Sequence, residues 1–268
     1  MALPTEVIDR LAAELNEAER TRIQIRHISA RHPGVTLDDA YAIQAALVSK
    51  KLADGGTIRG HKIGLTSKAM QSALGIDEPD SGVLFDDMFF QNGSVIPRNR
   101  FIGTRIEAEL AFVLKAPLSG PDCTIEKVLE ATDYVVPALE ILDTRIQRVD
   151  EQTGASRKIF DTIADNAANA GIVVGERHIR PDETDLRWIG VICYRDDSLE
   201  ETGLAAGVLD HPAMGVAWLA NRMAERGQQL EAGELVLAGS FIRPIEAPNG
   251  VTIRADFGPY GTVSCRFE

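Results

Sequence analysis

A run of nine residues, Ile106-Glu107-Ala108-Glu109-Leu110-Ala111-Phe112-Val113-Leu114, is apolar except for two glutamates one residue apart. It reads as a buried strand. Side chains on a strand alternate between its faces, so Glu107 and Glu109 share one face, which Ala111 and Val113 continue with apolar groups. Two readings are open. Either this is an edge strand with a solvated face, or the face is partly buried and the like charges raise each other's pKa unless a cation lies between them. A third carboxylate favours the cation. Glu140 interrupts a second apolar run, Val135-Val136-Pro137-Ala138-Leu139-Glu140-Ile141-Leu142, in which Pro137 points to the start or edge of a strand. An all-oxygen ligand set suits a hard ion that keeps positions open for water or substrate. Mg²⁺ is therefore the first choice and Mn²⁺ a substitute, whereas Ca²⁺ asks for a larger cage.

The chain has 268 residues, 44% of them hydrophobic and 25% charged, enough to bury one large core or two smaller ones. Its net charge of -12 argues against nucleic acid or anionic membrane as a partner, and an anionic substrate would need a local cationic site. The first residues lack a basic region followed by an apolar stretch, and no run approaches the length of a membrane span, which points to the cytoplasm. Cys123, Cys193 and Cys265 are far apart and odd in number, as expected of reduced thiols.

Residues 1–56 read as an N-terminal helical segment. Thr36 caps a helix with Asp38 and Asp39 in its first turn and Ile43 and Leu47 on one face, and Gly55-Gly56 stops it. From residue 57 to 268 strands dominate. Ile58–Gly64 is a short strand, and Ser67 can cap a helix through Met70 and Leu74. Thr124 caps a helix through Val128 and Leu129, and Pro212 opens another that carries Val216, Leu219 and Met223 to Gly227. At the C-terminal end, Val251, Ile253, Ala255 and Phe257 alternate with polar residues, and after Gly258-Pro259-Tyr260-Gly261 the alternation resumes at Val263, Cys265 and Phe267, which is a hairpin. The fold class is α+β with a mainly antiparallel, roll- or barrel-like β core. A doubly wound sheet is disfavoured because strands outnumber intervening helices and no glycine-rich nucleotide fingerprint follows a strand.

Lys62 lies in the glycine-flanked strand Gly60-His61-Lys62-Ile63-Gly64, where burial would lower its pKa and suit it to proton transfer or to holding an anion; pairing with a nearby acid is the alternative. Asp80, in Glu78-Pro79-Asp80-Ser81-Gly82, is most simply a turn residue. The histidines have no ligand spacing, there is no phosphate-binding loop, and Ser240 is not in a nucleophile elbow.

At these residues the sequence resembles the hydratase and decarboxylase branch of the fumarylacetoacetate hydrolase superfamily. The matching pieces are Gly60–Lys68, Glu78-Pro79-Asp80, Asp86-Asp87-Met88-Phe89-Phe90, Arg105–Glu109, Pro137–Glu140, Asp165–Gly171 and Gly239-Ser240-Phe241. The resemblance implies the fold of that superfamily and one Mg²⁺ on Glu107, Glu109 and Glu140, chelating the 1-carboxylate and 2-oxo oxygens of a small-molecule 2-oxo diacid. It implies Lys62 and Asp80 as catalytic groups, Lys62 and Ser240 as substrate contacts, and a homo-oligomer. The activity it implies is a hydro-lyase of aromatic catabolism acting on a seven-carbon dienoate. Alternatives are decarboxylation of 4-oxalocrotonate, hydration of the five-carbon 2-hydroxypenta-2,4-dienoate, or a non-catalytic metal-binding scaffold. The far carboxylate of a diacid would need a cation, for which Arg105, Arg145, Arg157 and Lys158 are candidates by position.

Overall fold

The computed structural model describes residues 2–67, 71, 72, 76 and 78–268. The helix expected through Met70 and Leu74 lies outside the described residues.

Three helices come first: α1 (Thr5–Thr21), the single turn α2 (Ile28–Arg31) and α3 (Leu37–Ala53). The start of α3 is fixed by a reciprocal cap. The Thr36 hydroxyl accepts the Asp39 N–H at 3.2 Å, and the Asp39 carboxylate accepts the Thr36 N–H at 2.9 Å. Leu11, Leu15, Ile28, Ile43 and Leu47 from these helices share one core with Ile146, Ile163 and Ala164. The helical segment thus buries its apolar faces against a much later part of the chain.

The strands are β1 (Ile58–Gly64), β2 (Asp80–Phe85), β3 (Phe89–Gln91), β4 (Ser94–Ile96), β5 (Arg105–Leu114), β6 (Thr132–Leu142), β7 (Asn169–Val174), β8 (Gly190–Arg195), β9 (Ser198–Leu204), β10 (Leu235–Leu237), β11 (Ile245–Glu246), β12 (Thr252–Asp256) and β13 (Thr262–Phe267). Between them lie α4 (Ile125–Ala131), α5 (Ile159–Ala164) and α6 (Pro212–Ala224). An eight-stranded sheet runs β2-β1-β10-β5-β6-β7-β3 with β11 added on β5, and a five-stranded sheet runs β4-β13-β12-β8-β9. Most neighbours are antiparallel; β1–β10, β3–β7 and β4–β13 are parallel. Neither sheet closes into a barrel, and the expected mainly antiparallel β core is present as these two sheets. The end strands β2 and β3 are joined only by the turn Asp86–Met88, so the large sheet curls round without completing a ladder. Among the described residues no helix is long and apolar enough to cross a membrane.

The two faces of the curled sheet do different work. Ile106, Ala108, Leu110 and Phe112 of β5 pack in one core with Ile253, Ala255, Val263 and Cys265 of the smaller sheet. The opposite, inner face buries Ala111, Val136, Ala138, Ile172, Leu235 and Leu237 together with Leu84, Phe85 and Met88. Glu107, Glu109 and Glu140 belong to this inner face by the two-residue period.

Pro137 sits inside β6, a strand with neighbours on both sides, and not at its start or edge. The ladder accommodates it because pairing with β7 ends at Ala138↔Val174, and the next bridge is Val135↔Ile179. Its carbonyl still accepts the Gly175 N–H at 2.8 Å, while its missing N–H falls where β7 has already run out.

Candidate active site

The register between β5 and β6 brings the carboxylates together. Glu107 lies directly opposite Glu140, and Glu109, two residues on, lies opposite Ala138. One oxygen from each of Glu107, Glu109 and Glu140 lies within 4.8 Å of the others. Glu109 and Glu140 are fully buried and Glu107 is half-buried, so the group opens on the Glu107 side. The edge-strand reading is excluded by this burial and by the central position of β5.

The donors around the group are few. Glu109 Oε2 accepts the Gly239 N–H at 2.9 Å. Glu109 Oε1 and both carboxylate oxygens of Glu140 have no hydrogen-bond partner among the described residues. Buried carboxylate oxygens without donors cost several kcal/mol unless a cation or proton satisfies them, on the order of 1–3 kcal/mol for each unsatisfied group. Three such side chains around one point therefore fit a hard divalent ion.

Lys62 enters from β1, across β10 from β5, and its Nζ stands 3.4 Å from Glu140 Oε1. Asp80 opens β2, directly opposite Gly64 of β1, and is buried. It is a strand residue and not the turn residue that its local sequence suggested. A Cβ on Gly64 would lie 2.3 Å from Asp80 Oδ1 and 3.0 Å from Lys62 Nζ, so glycine is required for the two side chains to meet there. Asp80 Oδ1 has no partner among the described residues.

The electrostatics follow from this crowding. Burial pushes the Glu107 carboxyl up to about 8, with Glu140 adding to the effect and Lys62 opposing it. Burial likewise raises Glu109 well above the ordinary carboxylate range, reinforced by Glu140 and Glu107. It raises Glu140 and Asp80 as well, in each case against the attraction of Lys62. For Lys62 burial acts downward, but Glu140, Asp80, Glu107 and Glu109 together outweigh it and the pKa rises. Of the two readings open for Lys62, pairing with nearby acids is the one the geometry favours, and it outweighs the lowering by burial.

Ser240 is not brought into this group. Its hydroxyl donates to the Ile242 carbonyl at 2.9 Å and accepts the Ile242 N–H at 3.2 Å, which ties it to a local turn. Among the distal candidates, Arg105 pairs with Glu246 and Arg145 with Asp165. Two supports were not legible as such in the sequence. One is the Gly239 amide on Glu109. The other is Asn166, whose side chain accepts the Val83 N–H at 2.8 Å and donates to the Val83 carbonyl at 2.9 Å, bracing the strand that carries Asp80. Asn166, Ala167 and Ala168 all have left-handed backbones, with φ of 51°, 52° and 58°. Three such non-glycine residues in a row are costly, and strain of this kind persists where the surroundings demand it.

No protein-family model matches the sequence. The chain is 58% identical over 257 residues to 2-oxo-hept-4-ene-1,7-dioate hydratase of Escherichia coli, covering 96% of each chain. The chain belongs to the hydratase and decarboxylase branch of the fumarylacetoacetate hydrolase superfamily. Within this branch, a solved structure of 4-oxalocrotonate decarboxylase from Pseudomonas putida G7, complexed with magnesium and adipate, superposes with a TM-score of 0.94. That match has 34% identity and covers 100% of this chain and 99% of the other. Fumarylpyruvate hydrolase from Pseudomonas aeruginosa superposes at 0.59 with 15% identity, covering 78% of this chain and 88% of the other, a likeness of fold alone.

Proposed function

We propose that this chain is a Mg²⁺-dependent hydratase that converts 2-hydroxyhepta-2,4-diene-1,7-dioate, the dienol of 2-oxohept-4-ene-1,7-dioate, into 4-hydroxy-2-oxoheptanedioate. The observation that carries this reading is the convergence of Glu107, Glu109 and Glu140 beside Lys62 and Asp80, in a chain 58% identical to a hydratase of that name. The three glutamates would hold the ion, and three protein carboxylates leave room for substrate on Mg²⁺ while falling short of a calcium cage. When bound, the ion supplies Lewis acidity to the 2-oxo acid head, favouring the negative charge that develops on its oxygen.

The chain's own groups do the rest. Lys62, buried and 3.4 Å from Glu140 Oε1, holds the anionic head and donates to it. Asp80, with a raised pKa and an unpartnered oxygen, carries the proton. Protonation at C5 of the dienol moves the double bond into conjugation with the 2-oxo group. The 2-hydroxyl proton is released to solvent in that step; water then adds at C4, giving up a proton to the Asp80 carboxylate, which passes it to C3, and Asp80 is reprotonated from solvent for the next turnover. The apolar inner wall of Ala111, Val136, Ala138 and Ile172 restricts bulk water around the conjugated chain.

Decarboxylation of a six-carbon relative is the second reading, supported by the 0.94 superposition on 4-oxalocrotonate decarboxylase. The two differ in what leaves and what adds. Loss of dienoate absorbance from the seven-carbon substrate, dependent on Mg²⁺ and without release of CO₂, is the expected result. Release of CO₂ from 4-oxalocrotonate at a greater kcat/KM would favour the decarboxylase, and full activity in EDTA would remove both.

A further inference from the structure

A seven-carbon diacid carries a second carboxylate into a protein of net charge -12, where a buried anion needs a matched cation. Most cations near the ends of β5 and β6 are already engaged. Arg105 Nε donates to Glu246 Oε1 at 2.6 Å, and Arg148 stands 3.7 Å from the same side chain. Arg145 is buried and spends its donors on Asp165 and on the Asp165 and Asn169 carbonyls. Lys158 is exposed.

Arg157 differs from all of these. It is half-buried and has no carboxylate within ion-pair distance among the described residues. Among the described residues its one side-chain hydrogen bond runs from Nη1 to Thr144 Oγ1 at 2.6 Å, and Nε and Nη2 have no partner there. Thr144 is itself buried and held by the Ile146 N–H at 3.2 Å, so the guanidinium is pinned to a fixed point. That point lies four residues beyond Glu140, past the end of β6, at most roughly 13 Å along the chain. An extended seven-carbon diacid with its contacts at both ends takes up roughly 12–14 Å. Arg157 is also, with Lys62, a cation whose charge acts on the buried Asp80, so its guanidinium lies within electrostatic reach of the site.

Resting on the reading of the reaction given above, we propose that Arg157 receives the distal carboxylate of the substrate and sets the preference for a seven-carbon diacid over shorter 2-oxo acids. Its planar fork, half of it anchored on Thr144, presents the free half to a carboxylate.

The test compares kcat/KM for 2-hydroxyhepta-2,4-diene-1,7-dioate and for 2-hydroxypenta-2,4-dienoate in wild type, Arg157→Met and Arg157→Lys. Calorimetric binding of the unreactive 2-oxoheptanedioate and 2-oxopentanoate in Mg²⁺ runs alongside. Removing the cation is expected to lower the seven- to five-carbon ratio about 100-fold in both readouts, and Arg157→Lys about 10-fold. If Arg157→Met does not fold, Arg157→Lys is read on the same ratio. Equal losses on both compounds would mark a structural brace on Thr144, and an unchanged ratio would also overturn the assignment. Should wild type itself show no preference for the diacid, the reading of the substrate falls and Arg157 with it.

Discussion

At the scale of single residues the site is an excess of negative charge held by one ammonium. Lys62 faces four acids that come from three different strands, and removing it leaves buried carboxylates uncompensated. Lys62→Met should destabilise the metal-free protein by about 3 kcal/mol, with much of the loss recovered in Mg²⁺; thermal melts with and without the ion check this. Protons and a bound ion would compete for the same oxygens. The folded-state pKa of Glu107, about 8, lies above its ordinary value of 4.5, so the folded state binds this proton more tightly than the unfolded chain. The associated stability is complete below pH 4.5 and is lost as pH rises through about 8. The increment in Tm on adding Mg²⁺ should therefore grow across that window and be small at its acid end. An increment independent of pH would show that the ion does not replace these protons. The three glutamates were legible because carboxylates set at a two-residue period inside an apolar run need a shared partner to be tolerated there. The charge state of Lys62 was not, because its neighbours are assembled by strand pairing from distant parts of the chain, and Asp80 was hidden behind a proline and a glycine that locally read as a turn.

At the scale of elements, two backbone segments position the site. Gly239 has φ of +116°, and a Cβ there would stand 2.4 Å from Thr66 Oγ1. Gly239→Ala should cost about 1–3 kcal/mol and weaken Mg²⁺ binding by tilting the amide away from Glu109, measured by melts and by calorimetry. The left-handed turn Asn166–Ala168 grips β2 at Val83, between the inner wall and Asp80. Asn166→Ala leaves both Val83 backbone groups with one partner fewer, for an expected loss of about 2 kcal/mol and a lower kcat with little change in Mg²⁺ affinity. Equal effects on kcat and ion affinity would count against a specific role on the Asp80 strand. Much at this scale could be read in advance: the Thr36 and Thr124 caps, the helix opened by Pro212, and the C-terminal hairpin all lie where short-range chemistry puts them. Pro137 could not, because its tolerance depends on where the neighbouring strand happens to end.

At the scale of the whole molecule, the curled eight-stranded sheet keeps one face for a core shared with the second sheet and reserves the other for the site. The N-terminal helices are joined to this body by a common core with Ile146, Ile163 and Ala164, and Gln44 of α3 donates to the carbonyls of Ser81 at 2.8 Å and Ile163 at 3.0 Å. A fragment of residues 57–268 is expected to lack a cooperative melt, since it exposes that core and unties β2; a sharp transition close to that of the full chain would show the helices to be dispensable. The central claim is that Glu107, Glu109 and Glu140 converge on one divalent ion. Anomalous diffraction from a crystal soaked in Mn²⁺ addresses it directly. One strong peak in contact with an oxygen of each glutamate, at about 2.1 Å, is the expected result. A site without a peak, or with the peak away from these three side chains, would contradict it.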